Sequence, residues 1–234
     1  MADKSGYEKI DENGNVVWVL NKEYVYNQRL KESGIPHHIS DVGFNNLIRN
    51  QFNGDAIAQS ISVVNNLPEH LAKNSGLALF GPVQVGKTFI LQNILMEIMK
   101  KYLKHTMYIS SPLYFDLLKS SYSKSDDEQR AAAVFQIRLI NEIEVLGLDD
   151  VGVEKVTGFN IDWIGEQFWE LIENRMKLGK ITFMTSNLKW NGLRDRFGNI
   201  HGERIVTRMM EIMKGVEING GTFRFDNMKE KYDE

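Results

Sequence analysis

The chain has 234 residues, of which 42% are hydrophobic and 25% are charged, a composition typical of one folded domain with at most a small appendage. It contains no cysteine, which excludes a disulfide framework, a thiol nucleophile, a cysteine-based zinc site and an iron–sulfur cluster. The formal net charge of −3 excludes a basic coat that would bind duplex DNA by charge alone. Residues 1–9 lack an apolar signal core and no apolar run is long enough to span a bilayer, so we expect a cytoplasmic protein without membrane contact.

The first part of the chain is predicted to form a small local unit. Asn13-Gly14 followed by the β-rich run Val16–Leu20 predicts a hairpin. Ser33-Gly34-Ile35-Pro36 then interrupts the pattern. Apolar residues at helical spacing next predict a helix over residues 55–71, which Pro68 ends or kinks.

From residue 76 onward, short apolar runs alternate with helical patterns. This alternation predicts an α/β fold, with a parallel sheet flanked by helices on both faces. We therefore divide the chain into a short N-terminal extension (1–33), which is a candidate for binding a partner protein, a linker and helix leading into the core (34–75) and a core domain (76–234). The predicted strands are 77–80, 106–109, 144–148 and 181–185, and the predicted helices are 87–104, 111–122, 127–142, 162–177, 192–197 and 202–213.

A phosphate-binding motif follows the first of these strands. Its sequence is Gly81-Pro82-Val83-Gln84-Val85-Gly86-Lys87-Thr88, with Phe89 next in the predicted helix, and it has the spacing G-x-x-x-x-G-K-T. Backbone N–H groups of such a loop enclose phosphates together with the positive end of the following helix. We therefore expect Lys87 to contact the β- and γ-phosphates of a nucleotide and the Thr88 hydroxyl to bind Mg²⁺.

Polar side chains follow two further predicted strands. Asp149 and Asp150 come after one apolar strand, at the edge where parallel sheets bind ligands. We expect Asp149 to hold Mg²⁺, directly or through water, and Asp150 to polarise an attacking water. Asn187 follows the next strand, where it orients water or senses the γ-phosphate; the alternative is a helix cap. The late residues Arg204, Arg208 and Arg224 can supply charge to a neighbouring subunit's nucleotide, the alternative being solvated surface.

Together these motifs resemble the AAA+ ATPases, and more narrowly the DnaC/DnaI-type replicative helicase loaders and the IstB-like ATP-binding proteins. The resemblance covers residues 34–224 and implies the AAA+ type of P-loop NTPase fold. The segment that distinguishes this family from other phosphate-loop proteins is Gly202-Glu203-Arg204-Ile205-Val206-Thr207-Arg208-Met209.

The resemblance also implies roles for individual residues. Asn187 matches sensor 1, Arg208 matches the arginine finger, and Arg224 sits where the family has its sensor 2 arginine. The segment from Asp149 to Glu154 resembles the loader form of the second motif, in which Asp-Asp is followed by a Glu four residues later. Asp150 and Glu154 are therefore both candidates for the catalytic base.

A function follows as an expectation from this resemblance. It implies an ATPase that uses ATP or ADP and Mg²⁺, assembles into an ATP-dependent head-to-tail homo-oligomer, and loads a DnaB-type replicative helicase onto single-stranded DNA. One alternative is an IstB-like transposition ATPase that acts with a transposase. Another is a nucleotide-binding, non-catalytic helicase regulator, because Asp150 replaces the more common Glu. The absence of cysteine excludes the zinc-containing form of the partner-binding module that some of these proteins carry.

Single-stranded DNA binding is expected to be weak, because the net charge is negative. The candidate contacts are two aromatic residues and two lysines that follow the second strand of the predicted sheet. The alternative is that the aromatic rings pack on the sheet and the lysines are solvated. These residues are Tyr114, Phe115, Lys119 and Lys124.

Overall fold

The computed structural model describes residues 5–39, 43–47, 49–123, 126–153, 161–198 and 201–220. The strands in this part of the chain are β1 (Gly6–Ile10), β2 (Val16–Leu20), β3 (Gly76–Phe80), β4 (Thr106–Ser110), β5 (Val145–Val151), β6 (Ile181–Ser186) and β7 (Met213–Glu217). The α-helices are α1 (Lys22–Glu32), α2 (Gly54–Asn65), α3 (Leu67–Ala72), α4 (Lys87–Tyr102), α5 (Ser111–Ser121), α6 (Asp127–Glu142), α7 (Ile161–Lys177), α8 (Trp190–Arg196) and α9 (Gly202–Ile212).

The central sheet has five strands in the order β4-β5-β6-β3-β7, all parallel. The α/β architecture with a helix-flanked parallel sheet is therefore confirmed. Because the strands run in one direction, the segments that follow β3, β5 and β6 leave from the same edge of the sheet. Strand β5 extends through Asp149 and Asp150, beyond the predicted end at residue 148. The three strands are neighbours, so the phosphate loop, the acidic residues near the end of β5 and Asn187 after β6 come together in space.

Both faces of the sheet are covered, because successive side chains of a strand point to opposite sides. In β3, Leu77 and Leu79 belong to the apolar cluster under α2 and α4. Ala78 and Phe80 belong to the cluster on the other face, which contains Phe168 of α7. The fully apolar run of β3 is thus explained by burial on two sides rather than one.

The N-terminal hairpin is confirmed, with β1 and β2 paired antiparallel around the turn that contains Gly14. Helix α1 follows, and its first turn is capped by the Asn21 side chain, which accepts a hydrogen bond from the backbone N–H of Tyr24. The helix packs against α4, with Tyr26 and Leu30 contacting the core.

The chain leaves α1 along the open edge of the central sheet. The backbone N–H of Tyr108 in β4 donates to the carbonyl of Ser33 over 2.6 Å. Gly34 has a φ of +76°, and a Cβ at this position would lie 2.5 Å from the Tyr108 carbonyl oxygen. Only glycine tolerates this backbone conformation and this close approach together.

Two predicted elements differ from the structure. The helix predicted over 55–71 is two helices, because the chain turns at Asn66 and Pro68 lies in the first turn of α3, where its missing N–H costs nothing. The helix predicted to reach Met213 ends one residue earlier, and β7 follows it. Strand β7 was not predicted, since its sequence Met-Lys-Gly-Val-Glu is short and half polar, and its pairing with β3 decides its conformation. Among the described residues, no helix is both long enough and apolar enough to cross a membrane.

Candidate functional site

The phosphate-binding motif forms the loop between β3 and α4, and α4 begins at Lys87. Gly86 has a φ of +91°, a conformation that a side chain would disfavour. Val85 is buried and anchors the loop to the core, whereas Pro82, Val83 and Gln84 are exposed. The loop therefore presents its backbone at the N-terminus of a long helix, the arrangement that binds phosphate.

The Lys87 side chain spans this loop. Its Nζ donates to the carbonyl oxygens of Gly81 (2.9 Å) and Pro82 (2.6 Å) and to Oδ1 of Asn187 (2.8 Å). Burial lowers the pKa of Lys87, and the negative charges of Asp150 and Asp149 oppose this shift. The ammonium group is thus held by neutral oxygens, which an anionic phosphate can replace with a stronger charge-assisted bond.

Asp149 receives hydrogen bonds from three hydroxyl groups on three different elements. Thr88 Oγ1 lies 3.0 Å from each carboxylate oxygen. Thr185 donates to Oδ1 over 2.5 Å, and Tyr108 donates to Oδ2 over 2.7 Å. Asp149 is almost completely buried. Burial raises the pKa of Tyr108 far above its usual value, with Asp149 acting in the same direction, so this hydroxyl stays a donor at neutral pH.

The oxygens of Thr88 and Asp149 are suited to Mg²⁺. A hydroxyl and a carboxylate are hard ligands, and Mg²⁺ in nucleotide sites takes one or two protein oxygens with phosphates and water as the remaining ligands. The described residues hold no cluster of three or more metal-binding side chains, which such a site does not need. The donor set thus fits the cation.

Asp150 occupies an irregular corner at the end of β5. The register between β5 and β6 shifts between Leu148 and Val151, and Asp150 has a φ of +56°, which is uncommon for a residue other than glycine. Its backbone N–H donates to Thr185 Oγ1 over 2.9 Å. Thr185 therefore holds both acidic residues, through the carboxylate of Asp149 and the backbone of Asp150.

The two predicted arginines on α9 lie on its exposed side. Arg208 contacts carboxylates of its own chain, with its Nε 3.3 Å from Glu173 and its NH1 2.7 Å from Glu211. The guanidinium of Arg204 lies over the Trp169 ring at 4.6 Å from the centroid. Neither contact involves the phosphate loop.

Two predicted site residues, Glu154 and Arg224, lie outside the described residues, as does Lys124. Of the remaining candidates, the structure brings the phosphate loop, Asp149 and Asn187 together and leaves Arg208 apart from them. Asp150 joins this group through the backbone corner described above.

The aromatic residues considered for DNA contact are buried. Tyr114 and Phe115 are each 2% exposed and belong to the core beneath α5. Lys119 is paired with Asp116 over 3.2 Å at the surface. Packing on the sheet, the alternative interpretation, is therefore the correct one for Tyr114 and Phe115, because their helix buries this face against β4 and β5.

Three residues with prominent contacts were not identified as such from the sequence. Tyr108 lies within β4 and Thr185 within β6, and their hydroxyl groups reach Asp149 across the sheet. Arg175 of α7 is completely buried and donates to backbone carbonyls of two other segments. For Tyr108, the available signal was a tyrosine in β4, the strand next to the acidic strand β5. No local sequence pattern marks Thr185 or Arg175.

Comparison with known proteins relates the chain to replication factors. No protein-family model matches it. It is 27% identical over 161 residues to the replicative helicase loader DnaI of Bacillus subtilis strain 168, covering 68% of this chain. The chain spans about half (49%) of the length of that curated relative.

Solved structures of helicase loaders have a fold similar to that of this chain. A crystal structure of DnaI superposes with a TM-score of 0.65 at 24% identity, covering 80% of this chain and 95% of that one. A crystal structure of the DnaC helicase loader gives a TM-score of 0.63 at 22% identity, covering 78% and 99%. The chain has the AAA+ type of P-loop fold, as DnaI and DnaC have, and its sequence is similar to that of the DnaI helicase loader.

Proposed function

We propose that this protein is an ATPase that loads a DnaB-type replicative helicase onto single-stranded DNA, with ATP and Mg²⁺ bound at the interfaces of a homo-oligomer. The observation that carries the proposal is the convergence of Lys87, Thr88, Asp149 and Asn187 at one edge of the sheet. Their elements are far apart in sequence, and only the parallel strand order brings them together. The relationship to DnaI and DnaC supports the helicase as partner.

Different residues of this site are proposed to bind the phosphates, to hold Mg²⁺ and to activate water. The loop backbone and Lys87 bind the phosphates, and Thr88 and Asp149 hold Mg²⁺, which neutralises charge on the phosphates when it is bound. Asn187 already contacts Lys87, so its amide lies where it can report on the group that Lys87 binds. Either Asp150 or Glu154 is the base that activates the attacking water.

Arg208 is the proposed arginine finger, which acts on the nucleotide of a neighbouring subunit. Its ion pairs with Glu173 and Glu211 do not oppose this role strongly, because Arg208 lies at the surface, where water screens such pairs and they contribute little. A phosphate offers the guanidinium a stronger bidentate contact. In this proposal, Arg208 leaves Glu173 and Glu211 when two subunits assemble and then binds the nucleotide of the neighbouring subunit.

Arg208→Ala should lower ATP turnover by about 1,000-fold at protein concentrations where the native chain assembles, the effect expected for loss of an arginine finger. Mixing this variant with Lys87→Ala should restore part of the turnover, because some interfaces then combine a native Lys87 with a native Arg208. Steady-state ATPase assays over a range of protein concentrations measure both effects. Arg130→Ala, at an exposed arginine of α6, is the control.

Two results would contradict the interface proposal. One is turnover per subunit that is independent of concentration and unchanged in Arg208→Ala. The other is a failure of the mixed variants to complement each other although each binds to the native chain. Absence of turnover in the native chain, with nucleotide binding intact, would instead favour the non-catalytic regulator.

The helicase contact is proposed to lie in the N-terminal extension. Pairing of β1 with β2 places Ile10, Val16, Trp18 and Leu20 on one face of the hairpin, and all four are exposed. A two-stranded hairpin is marginally stable alone, and exposed apolar faces of this kind mark interaction sites. Trp18 is the largest side chain on this face and the residue type that most often dominates interfaces.

Trp18→Ser should weaken capture of a purified DnaB-type helicase by about 10-fold or more, the usual effect of removing a central aromatic residue from an interface. Nucleotide binding should stay unchanged, because Trp18 does not contact the phosphate loop. Quantitative co-purification with the helicase, and in parallel with a transposase, measures the effect. Phe135→Ser, which removes an exposed aromatic ring from α6, is the matched control.

Equal capture of the helicase by Trp18→Ser and by the native chain would exclude the hairpin as the contact. Capture of the transposase instead of the helicase would favour the IstB-like alternative.

A further inference from the structure

The hydroxyl of Tyr108 lies between the phosphate-loop helix and the acidic strand. It donates to Oδ2 of Asp149, and the side chain of Gln92 in α4 lies beside the same hydroxyl. Gln92 and Asp149 are almost completely buried, whereas Tyr108 itself is partly exposed. A hydrogen bond to a buried carboxylate restricts the orientation of that carboxylate.

The position of Tyr108 itself is fixed by the backbone. It lies in β4, the edge strand of the sheet, where its N–H donates to the carbonyl of Ser33 and its carbonyl oxygen lies close to Gly34. The residue is thus held from two sides, by β5 through the strand pairing and by the segment after α1. Its hydroxyl therefore acts as a fixed donor.

The three hydroxyl groups around Asp149 are not equivalent. Thr88 belongs to the phosphate loop and donates to both carboxylate oxygens at the same distance, 3.0 Å. Thr185 and Tyr108 each donate to one oxygen, and neither belongs to the loop. A carboxylate accepts about four hydrogen bonds, so these two donors leave acceptor sites for a cation on both oxygens. Thr88 is the donor that a cation bound to Thr88 and Asp149 would displace.

We infer that Tyr108 is a positioning residue for the metal-binding carboxylate: its hydroxyl fixes Oδ2 of Asp149 and thereby sets the affinity of the site for Mg²⁺. The inference rests on the proposed nucleotide and cation site. Partners that orient a metal ligand commonly change metal affinity by about 10- to 100-fold when they are removed. The Tyr108 hydroxyl donates to Asp149 and not to the described residues of the phosphate loop, so we expect the affinity for nucleotide without metal to be independent of this hydroxyl.

The test is Tyr108→Phe, which removes one oxygen and keeps the ring. Binding of Mn²⁺, a paramagnetic substitute for Mg²⁺, is measured by electron paramagnetic resonance on the full chain with saturating ADP. The dissociation constant for Mn²⁺ should rise about 10-fold or more. Binding of a fluorescent ADP analogue in EDTA should change less than about 2-fold, whereas Lys87→Ala, which removes a phosphate ligand, should weaken binding under both conditions. Tyr114→Phe is the control for loss of a tyrosine hydroxyl, because Tyr114 is more deeply buried than Tyr108 and lies in the α5 core away from Asp149.

Three further results decide the interpretation. In an Asp149→Ala background, Tyr108→Phe should have no additional effect on Mn²⁺ binding, because the two residues act as one unit. Gln92→Leu should weaken Mn²⁺ binding in the same direction but less, and it serves as the second variant if Tyr108→Phe is poorly folded by thermal unfolding. An unchanged Mn²⁺ affinity in well-folded Tyr108→Phe overturns this inference alone, whereas failure of the native chain to bind ADP overturns the proposed function with it.

Discussion

Lys87→Ala is expected to weaken ATP binding by about 100-fold or more, because bonds between an ammonium group and phosphate oxygens contribute about 1.5–3 kcal/mol each. The loss should exceed that of a surface lysine, since Lys87 is buried and its Nζ also bridges Gly81, Pro82 and Asn187. Without the ammonium group, two loop carbonyls and the Asn187 amide lose their common donor. Isothermal titration with ATP and Mg²⁺ measures the affinity, and a coupled assay measures turnover.

The control for this substitution is Lys100→Ala in the last turn of the same helix, where the side chain is exposed and pairs with Glu97. That variant should bind ATP as the native chain does. Unchanged ATP affinity in Lys87→Ala, with the fold intact by circular dichroism, would refute the proposed nucleotide site and with it the proposed ATPase activity.

Arg175→Met is expected to lower the free energy of unfolding by about 3–5 kcal/mol, because it leaves several buried carbonyl groups without a hydrogen-bond donor, each at a cost of about 1–3 kcal/mol. The Arg175 guanidinium donates to the carbonyls of Ile140 (2.7 Å), Ile143 (3.1 Å) and Ile181 (2.7 Å) and to Thr182 Oγ1 (2.9 Å). It thereby satisfies carbonyls at the C-terminus of α6, which have no partner within the helix. Methionine fills a similar volume but donates nothing, so these groups stay buried and unpaired.

Burial lowers the pKa of Arg175 to about 9, so the side chain still carries its charge at neutral pH. The negative end of the α6 dipole and the carbonyl oxygens compensate that charge, since none of the groups bonded to the guanidinium is a carboxylate. For a chain of this size the loss corresponds to a decrease in melting temperature on the order of 10 °C. Thermal unfolding followed by circular dichroism measures it.

The matched control is Arg138→Met, at an exposed arginine of α6 that pairs with Glu142 four residues later. It should change stability by about 0.5 kcal/mol or less, because exposed helical ion pairs contribute little. Equal melting temperatures for Arg175→Met and Arg138→Met would show that the buried guanidinium does not stabilise the fold.

Much of the candidate site could be predicted because its signals are local or follow from one topological rule. The phosphate loop has its own spacing within eight residues, and glycine at position 86 reports a backbone conformation directly. Asp149 and Asn187 follow apolar strands, and parallel strands deliver such residues to one edge of the sheet. Arg208 was selected by the resemblance to a family, not by any pattern of charge or spacing.

Other features depended on contacts that no local pattern encodes. Tyr108 reaches an acceptor 41 residues away in sequence, and Thr185 reaches one 36 residues away. Arg175 receives its role from carbonyls 32 to 35 residues before it and from strand β6 after it. In the same way, β7 is a strand because β3 offers it an edge, since its own residues have little preference for one.

The sequence by itself determined the fold class, the position of the candidate phosphate loop and the approximate strands that carry the acidic and amide side chains. It did so because hydrophobic periodicity and glycine positions are properties of neighbouring residues. Only the tertiary structure decided which hydroxyl groups hold Asp149, which arginine is buried and that the N-terminal hairpin is left exposed. Those outcomes depend on the order in which strands pair and on which side of a helix is covered, and residues distant in the chain set both.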